Sequence, residues 1–140
     1  TGARLARVIL DTSVLVASER ADHGLFEVLS AEDEPAIAAI TAAELLVGVE
    51  LASGRRRHRR ARRVEGLLDL LPLEPYDVLA ARAHAHLIAA TRSAGRQRGA
   101  YDLIIAATAV ATGRLIVSAD RAAFGDLPGV TARIIDPSPG

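Results

Sequence analysis

The chain has no cysteine and no lysine, and aromatic residues make up only 3% of it. Without Cys there is no disulfide framework, no thiol nucleophile and no thiolate ligand for a metal. Without Lys, a P-loop lacks the residue that reaches its phosphates, and a Schiff-base enzyme lacks its amine. A receiver domain, whose βα order is similar, lacks the Lys beside its Asp. All seventeen basic residues are Arg. With so few rings, the core must be built from Ala, Val, Leu and Ile. No apolar run approaches the ~18 residues needed to span a membrane, and no signal-peptide pattern opens the chain. These absences predict a protein of the cytoplasm with no membrane partner. At 140 residues the length suits one ordinary domain, with a core over about residues 7–135 and a loose tail at 137–140.

What is present reads as alternating βα units. Residues 7–11 form a short run that is apolar on both faces, as a buried parallel strand requires. Helices are expected from Ser13 to Arg20 and from roughly His23 to Ser30, the second capped by Asp22. After the acidic turn Glu32-Asp33-Glu34-Pro35, a second strand is expected at about 36–40. A helix from Thr41 to Ser53 places Leu45, Leu46 and Val49 at core spacing and stops at Gly54. The Arg run opens another helix, to about Leu71, where Pro72 and Pro75 break the chain. A long Ala-rich helix spans Asp77 to Ala94. The basic loop at 95–100 leads to a helix from Leu103 to Thr112 that is apolar nearly all round, as a central helix would be. Strands follow at 115–118 and about 132–135. The pattern predicts an α/β fold with a parallel sheet flanked by helices.

Against that order, four acids share one kind of position. Asp11 follows the first strand, Glu44 opens the helix after the second, Asp102 opens the central helix, and Asp120 lies just beyond the strand at 115–118. Ligands of open α/β sheets bind in the crevice at the carboxyl ends of the strands. Four carboxylates gathered there repel one another unless a cation compensates. Each also has a local explanation. Thr41-Ala-Ala-Glu44 fits the capping-box template, Asp102 and Asp11 are acceptable N-caps, and Asp120 suits a turn. Glu32, Asp33, Glu65, Asp69 and Asp126 lack such placement and read as surface or turn residues. His84 and His86 lie two apart and point to different helix faces; with His23 and His58 they read as non-catalytic.

Charge is balanced overall, yet seven Arg fall within residues 55–63. The run is open to three readings: a solvated helix face, a clamp for RNA phosphates through Arg55, Arg56 and Arg59, or a surface for an acidic protein. Arg96 and Arg98, in the loop beside Asp102, are placed to grip a phosphate near the acids.

The segment Val8-Ile9-Leu10-Asp11-Thr12-Ser13-Val14-Leu15-Val16 resembles the opening motif of PIN-domain ribonucleases. Thr41 to Val49, Asp102 to Ala109, and Ile116 to Asp120 with Phe124 and Leu127-Pro128-Gly129 resemble their next three motifs, in order and over most of the chain. Size and the Leu-x-x-Gly-Val pattern from Leu45 to Val49 make it most similar to the VapC toxins of VapBC toxin–antitoxin pairs. The resemblance implies a three-layer PIN-like α/β fold with Asp11, Glu44, Asp102 and Asp120 as an acidic catalytic and metal-binding pocket. An acid is frequent in the family where Ala123 stands here, which leaves that corner to Asp120. Hard oxygen donors without His or Cys suit Mg²⁺ or Mn²⁺, with Asp11 and Asp102 as direct ligands. Thr12, Thr41 and Ser118 are placed to hydrogen-bond these carboxylates or bound water, or to cap helices. The implied function is a metal-dependent endoribonuclease toxin acting on a structured RNA (tRNA or ribosomal), homodimeric, and neutralised by a cognate VapB-type antitoxin. The alternative is a non-catalytic PIN-like module that binds RNA or protein. An Asp-nucleophile phosphatase needs a second Asp at position 13, where Ser stands.

Overall fold

The computed structural model describes residues 6–20, 29–95 and 98–135. The expected helix near His23 with its cap Asp22, the residues Arg96 and Gln97, and the tail from Pro137 lie outside them. In chain order the elements are β1 (Ala6–Leu10), α1 (Thr12–Arg20), β2 (Asp33–Ala38), α2 (Ala39–Leu51), α3 (Gly54–Leu70), β3 (Leu73–Glu74), α4 (Val78–Ser93), α5 (Ala100–Thr112), β4 (Leu115–Ser118) and β5 (Ala132–Ile134). The strands pair in the order β3-β2-β1-β4-β5, all parallel. This is the expected three-layer arrangement, a parallel sheet between helices.

The side-chain period of two along the strands builds the layers. Val8 and Leu10 of β1 and Val117 of β4 turn to one face, where they pack with Val14, Leu15, Leu67 and Leu71 from α1 and the α3 end. Ile9 and Ile116 turn to the other, against Leu87 of α4 and Leu103, Ile105 and Ala106 of α5. Small residues at 106, 107 and 109, each almost wholly buried, let α5 lie close on the sheet. Val8, Ile9 and Leu10 have no exposed surface, because β1 is the central strand and is covered on both faces.

Sheet topology fixes where the site lies. β1 leads on to β2 and β3 on one side and is flanked by β4 and β5 on the other, so the strand order reverses between β1 and β4. A crevice opens at their carboxyl ends, the usual ligand position in such sheets. Asp11 N–H donates to Val117 O at 3.0 Å, so Asp11 is tied to β4 as the strand ends.

Several local expectations are corrected. β2 starts at Asp33 rather than about residue 36, because it pairs with β1 from Ala6↔Asp33 onward. It therefore ends at Ala38, and α2 begins at Ala39 with Ala38 as its N-cap. Thr41 is already inside the helix, so the capping box with Glu44 does not form. Asp33 is no surface residue: its side chain is 1% exposed and accepts a 2.6 Å bond from Arg133. Burial pushes its carboxyl up, but the Arg133 hydrogen bond, the Ser30 amide and the Arg133 charge outweigh burial and hold it below the ordinary value. The edge strand β3 lies between Pro72 and Pro75; two residues are too few for a periodicity signal. Finally, α5 begins at Ala100, with Gly99 at its N-cap. Asp102 is thus in the first turn, where the helix dipole favours a carboxylate, and is not the cap.

Candidate active site

Asp11 is buried, 4% exposed, and its two carboxylate oxygens take different donors. Oδ1 accepts from the Ser13 amide, an N-cap bond in the first turn of α1. Oδ2 accepts from the Ser118 hydroxyl at 2.6 Å across the β1–β4 boundary. The capping role and the site position therefore coexist in one side chain. Ser118 Oγ also accepts from Asp120 N–H at 3.0 Å, and Ser13 Oγ accepts from Ala119 N–H at 2.9 Å. These bonds stitch the start of α1 to the end of β4, residues more than a hundred positions apart.

The other three acids approach from separate elements. Glu44 projects from the second turn of α2 and accepts from Thr12 Oγ1 at 2.8 Å. Asp102, in the first turn of α5, has its carboxyl pushed up, first by burial and then by the charges of Asp11, Asp120 and Glu44; Arg98 pulls the other way. The four acids named from sequence are thus near enough for the other three to act electrostatically on Asp102. Asp120 is exposed, and its Oδ1 accepts from Ala122 N–H at 2.9 Å to close a turn. Gly99 lies tight against Asp102: a Cβ there would sit 3.0 Å from Asp102 Oδ2.

The donor set fits a hard divalent cation with its own water. Oxygen donors dominate, and three negative neighbours raise the proton affinity of Asp102, a deficit of positive charge that a cation relieves. Among the described residues no three His, Asp or Glu side chains are drawn tightly enough to hold an ion by themselves. Mg²⁺ accepts that arrangement, since it keeps several waters and takes one or two protein carboxylates directly. From the sequence Asp11 and Asp102 are the expected direct ligands; in the structure Asp11 is buried at the end of β1 and Asp102 stands in the first turn of α5. Of the three hydroxyls singled out in the sequence, Thr12 and Ser118 bond carboxylates. Thr41 is fully buried and its Oγ1 has no partner among the described residues.

The arginines divide by what they touch. Arg98 donates to the carbonyls of Ala122 (2.5 Å) and Gly125. It braces the turn that carries Asp120, so its end nitrogens already have partners. Arg60 donates to Gly48 O at 3.2 Å and Arg63 to Leu15 O at 3.1 Å, both lying beside Glu19 at 3.9 and 3.6 Å. These two fasten α3 to α1 and α2. Arg56 and Arg59 form no hydrogen bond or ion pair with the described residues. With Arg60 and Arg63 they line a groove of about 690 Å³ that also takes in Thr12, Glu19 and Glu44. Arg55 is exposed and outside that lining. His84 bonds Tyr76 Oη at 2.9 Å, and neither it nor His58 or His86 enters the site. Nothing in the spacing points to Ser13 or Gly99, whose contributions are an amide and a missing side chain.

Comparisons with known proteins agree with this geometry. The PIN domain family model matches residues 8–129. The VapC ribonuclease Y4jK of Sinorhizobium fredii is 33% identical, over 84% of this chain and 89% of that protein. A chain of VapBC-5 from Mycobacterium tuberculosis, a member of the VapBC family of toxin–antitoxin systems, is 30% identical with a TM-score of 0.71, covering 93% of this chain and 99% of that one. A chain of VapBC2 from Rickettsia felis shares the fold at a TM-score of 0.83 and 21% identity, with coverage of 93% and 99%. With its sequence motifs, its parallel sheet and its acids at the β1–β4 switch point, the chain belongs to the PIN domain family, among the VapC-type ribonucleases.

Proposed function

We propose that this chain is a divalent-cation-dependent endoribonuclease toxin that hydrolyses a phosphodiester bond in a structured RNA, tRNA or ribosomal RNA. The observation that carries the reading is the convergence of four carboxylates from separate elements on one crevice, with Asp102 under the charge of the other three. Dependence on a divalent cation is general among nucleases of this family. When bound, Mg²⁺ or Mn²⁺ would supply activation of water and stabilisation of charge on the phosphoryl oxygens.

The chain's own residues do the rest. Asp11 is held in one orientation by the Ser13 amide and the Ser118 hydroxyl. Glu44 is aligned by Thr12. Asp102, whose proton affinity is raised by burial and by its acidic neighbours, would be eased toward its ionised form by positive charge in the crevice. Arg56 and Arg59 line the groove that also takes in Glu44 and are ion-paired with none of the described residues, so they are placed to attract the RNA backbone. Arg98 holds the Asp120 turn in place. A VapB-type antitoxin is the natural regulator, since the structural relatives are VapBC complexes. The reading includes a homodimer acting in the cytoplasm.

The test is incubation with total RNA, with and without Mg²⁺, followed by mapping of new ends for wild type and Asp102→Asn. Cleavage that requires Mg²⁺ and vanishes in Asp102→Asn supports the reading. Equal cutting by both proteins removes these acids from the chemistry. Tight RNA binding with no cleavage by wild type would make the chain a binding module.

A further inference from the structure

Glu44 borders two recesses of opposite character. On one side is the Arg-lined groove. On the other is a small recess of about 210 Å³ walled by Ile40, Ala43 and Val47 of α2 and by Tyr101 of α5. Ile40, Ala43 and Val47 follow the i, i+3, i+7 spacing of one helical face, and that face meets the residue adjoining Asp102. The recess is smaller than the ~300–1,000 Å³ typical of sites for drug-sized ligands. It suits one flat ring rather than a peptide segment or a helix.

Tyr101 is notable in a chain with two Tyr, two Phe and no Trp. Phe124 is buried in the core. Tyr76 bonds His84 and packs edge-on to its ring at 5.8 Å. Tyr101 is 53% exposed and forms no hydrogen bond with the described residues. An aromatic side chain that the fold leaves bare, one residue from an acid of the site, calls for a ligand. We propose that this recess is a nucleobase pocket, with Tyr101 the platform on which a base next to the scissile phosphate stacks. The proposal rests on the ribonuclease reading and adds how the substrate is held: backbone toward the arginines, base against Tyr101. Unpaired bases splayed from RNA loops bind in this way, on aromatic faces beside a charged track. Glu44 then stands at the corner where backbone and base diverge.

The chain lacks Trp, so tyrosine emission reports on the pocket directly. In a Tyr76→Phe background, Tyr101 is the remaining tyrosine. Its fluorescence lifetime would be followed in EDTA while a labelled single-stranded oligoribonucleotide is added and its binding read by anisotropy. A ribose-phosphate oligomer of the same length without bases serves as the comparison. The oligoribonucleotide should shorten the Tyr101 lifetime, and the abasic oligomer should not. Tyr101→Ala should weaken oligoribonucleotide binding roughly 5- to 150-fold, the range of one lost base stack, with abasic binding unchanged. Tyr101→Phe should keep the affinity, and Ala43→Leu, which fills the recess, should reproduce the Ala phenotype. Binding with an unchanged lifetime and no loss in Tyr101→Ala overturns the pocket while leaving the ribonuclease reading intact. No RNA binding in EDTA or with Ca²⁺ added, together with no Mg²⁺-dependent cleavage, overturns both. A Tyr101→Ala protein with altered mass by light scattering and unaltered RNA affinity assigns the recess to a protein contact and overturns the proposal.

Discussion

Ser118→Ala tests whether the bond between β4 and Asp11 holds the first acid of the site. Ser118 has no exposed surface, Asp11 is 4% exposed, and the hydroxyl-to-carboxylate distance is 2.6 Å. A hydrogen bond to a charged group contributes about 1.5–3 kcal/mol. Unfolding entropy of about 2.1 cal/mol/K per residue gives roughly 0.29 kcal/mol/K for this chain of 140 residues. Ser118→Ala should therefore lower Tm by about 5–10 °C in metal-free buffer. In an Asp11→Asn background the same bond is neutral and about half as strong, so the loss should shrink to about 3–5 °C. Asp11→Asn has two opposed effects of its own, relief of repulsion and weaker capping, and both cancel in the double-mutant cycle. Calorimetry on the four proteins gives the coupling, expected near 1 kcal/mol. If Ser118→Ala shifts Tm equally in both backgrounds, the hydroxyl does not act through the carboxylate and the reasoning fails.

Gly99→Ala places a methyl 3.0 Å from Asp102 Oδ2. Because Gly99 has φ −59, alanine fits the backbone, so activity should fall about tenfold or more from a displaced carboxylate while Tm holds. A matching loss of stability would point to backbone damage instead. For Asp33 the folded pKa lies below the usual value of 3.8. Its ionised form thus contributes stability above that pH, and the contribution disappears as pH falls through the lower folded pKa. Urea titrations of wild type and Arg133→Ala should differ by about 1 kcal/mol at neutral pH, modest because Arg133 is partly exposed, and converge in acid. Arg56→Ala with Arg59→Ala should reduce the slope of log K against log salt for single-stranded RNA by about 1.4, two phosphate contacts' worth. Arg98→Ala should leave that slope nearly unchanged and lower Tm, since its partners are carbonyls; the opposite pattern would exchange their roles.

Much of the architecture is legible in the residues themselves. Val8-Ile9-Leu10 reads as a central strand because residues apolar on both faces have no other stable place in a parallel sheet. The α4 start at Asp77 follows from its cap, whose Oδ1 accepts from Ala80 N–H at 3.0 Å. Where expectation and structure part, the cause is non-local. β2 starts early because β1 lends it partners from Ala6 onward, and that shift alone removes the capping box and frees Glu44 to face Thr12. Asp33 passes for a turn residue until Arg133, 100 positions away, is brought against it.

The sequence by itself determined the menu: parallel βα units, a lysine-free and thiol-free chemistry, and four acids at element junctions. Those follow from local rules of periodicity, capping and residue chemistry. The tertiary structure decided what the acids are to one another. It set Ser118 on Asp11 across 107 positions and Thr12 on Glu44 across 32. It brought three negative charges to bear on Asp102, tied Arg98 to the Asp120 turn, and left Arg56, Arg59 and Tyr101 bare around Glu44. Contacts between distant residues depend on sheet order and helix packing, which arise from burial of the whole chain and are written in no short stretch of it.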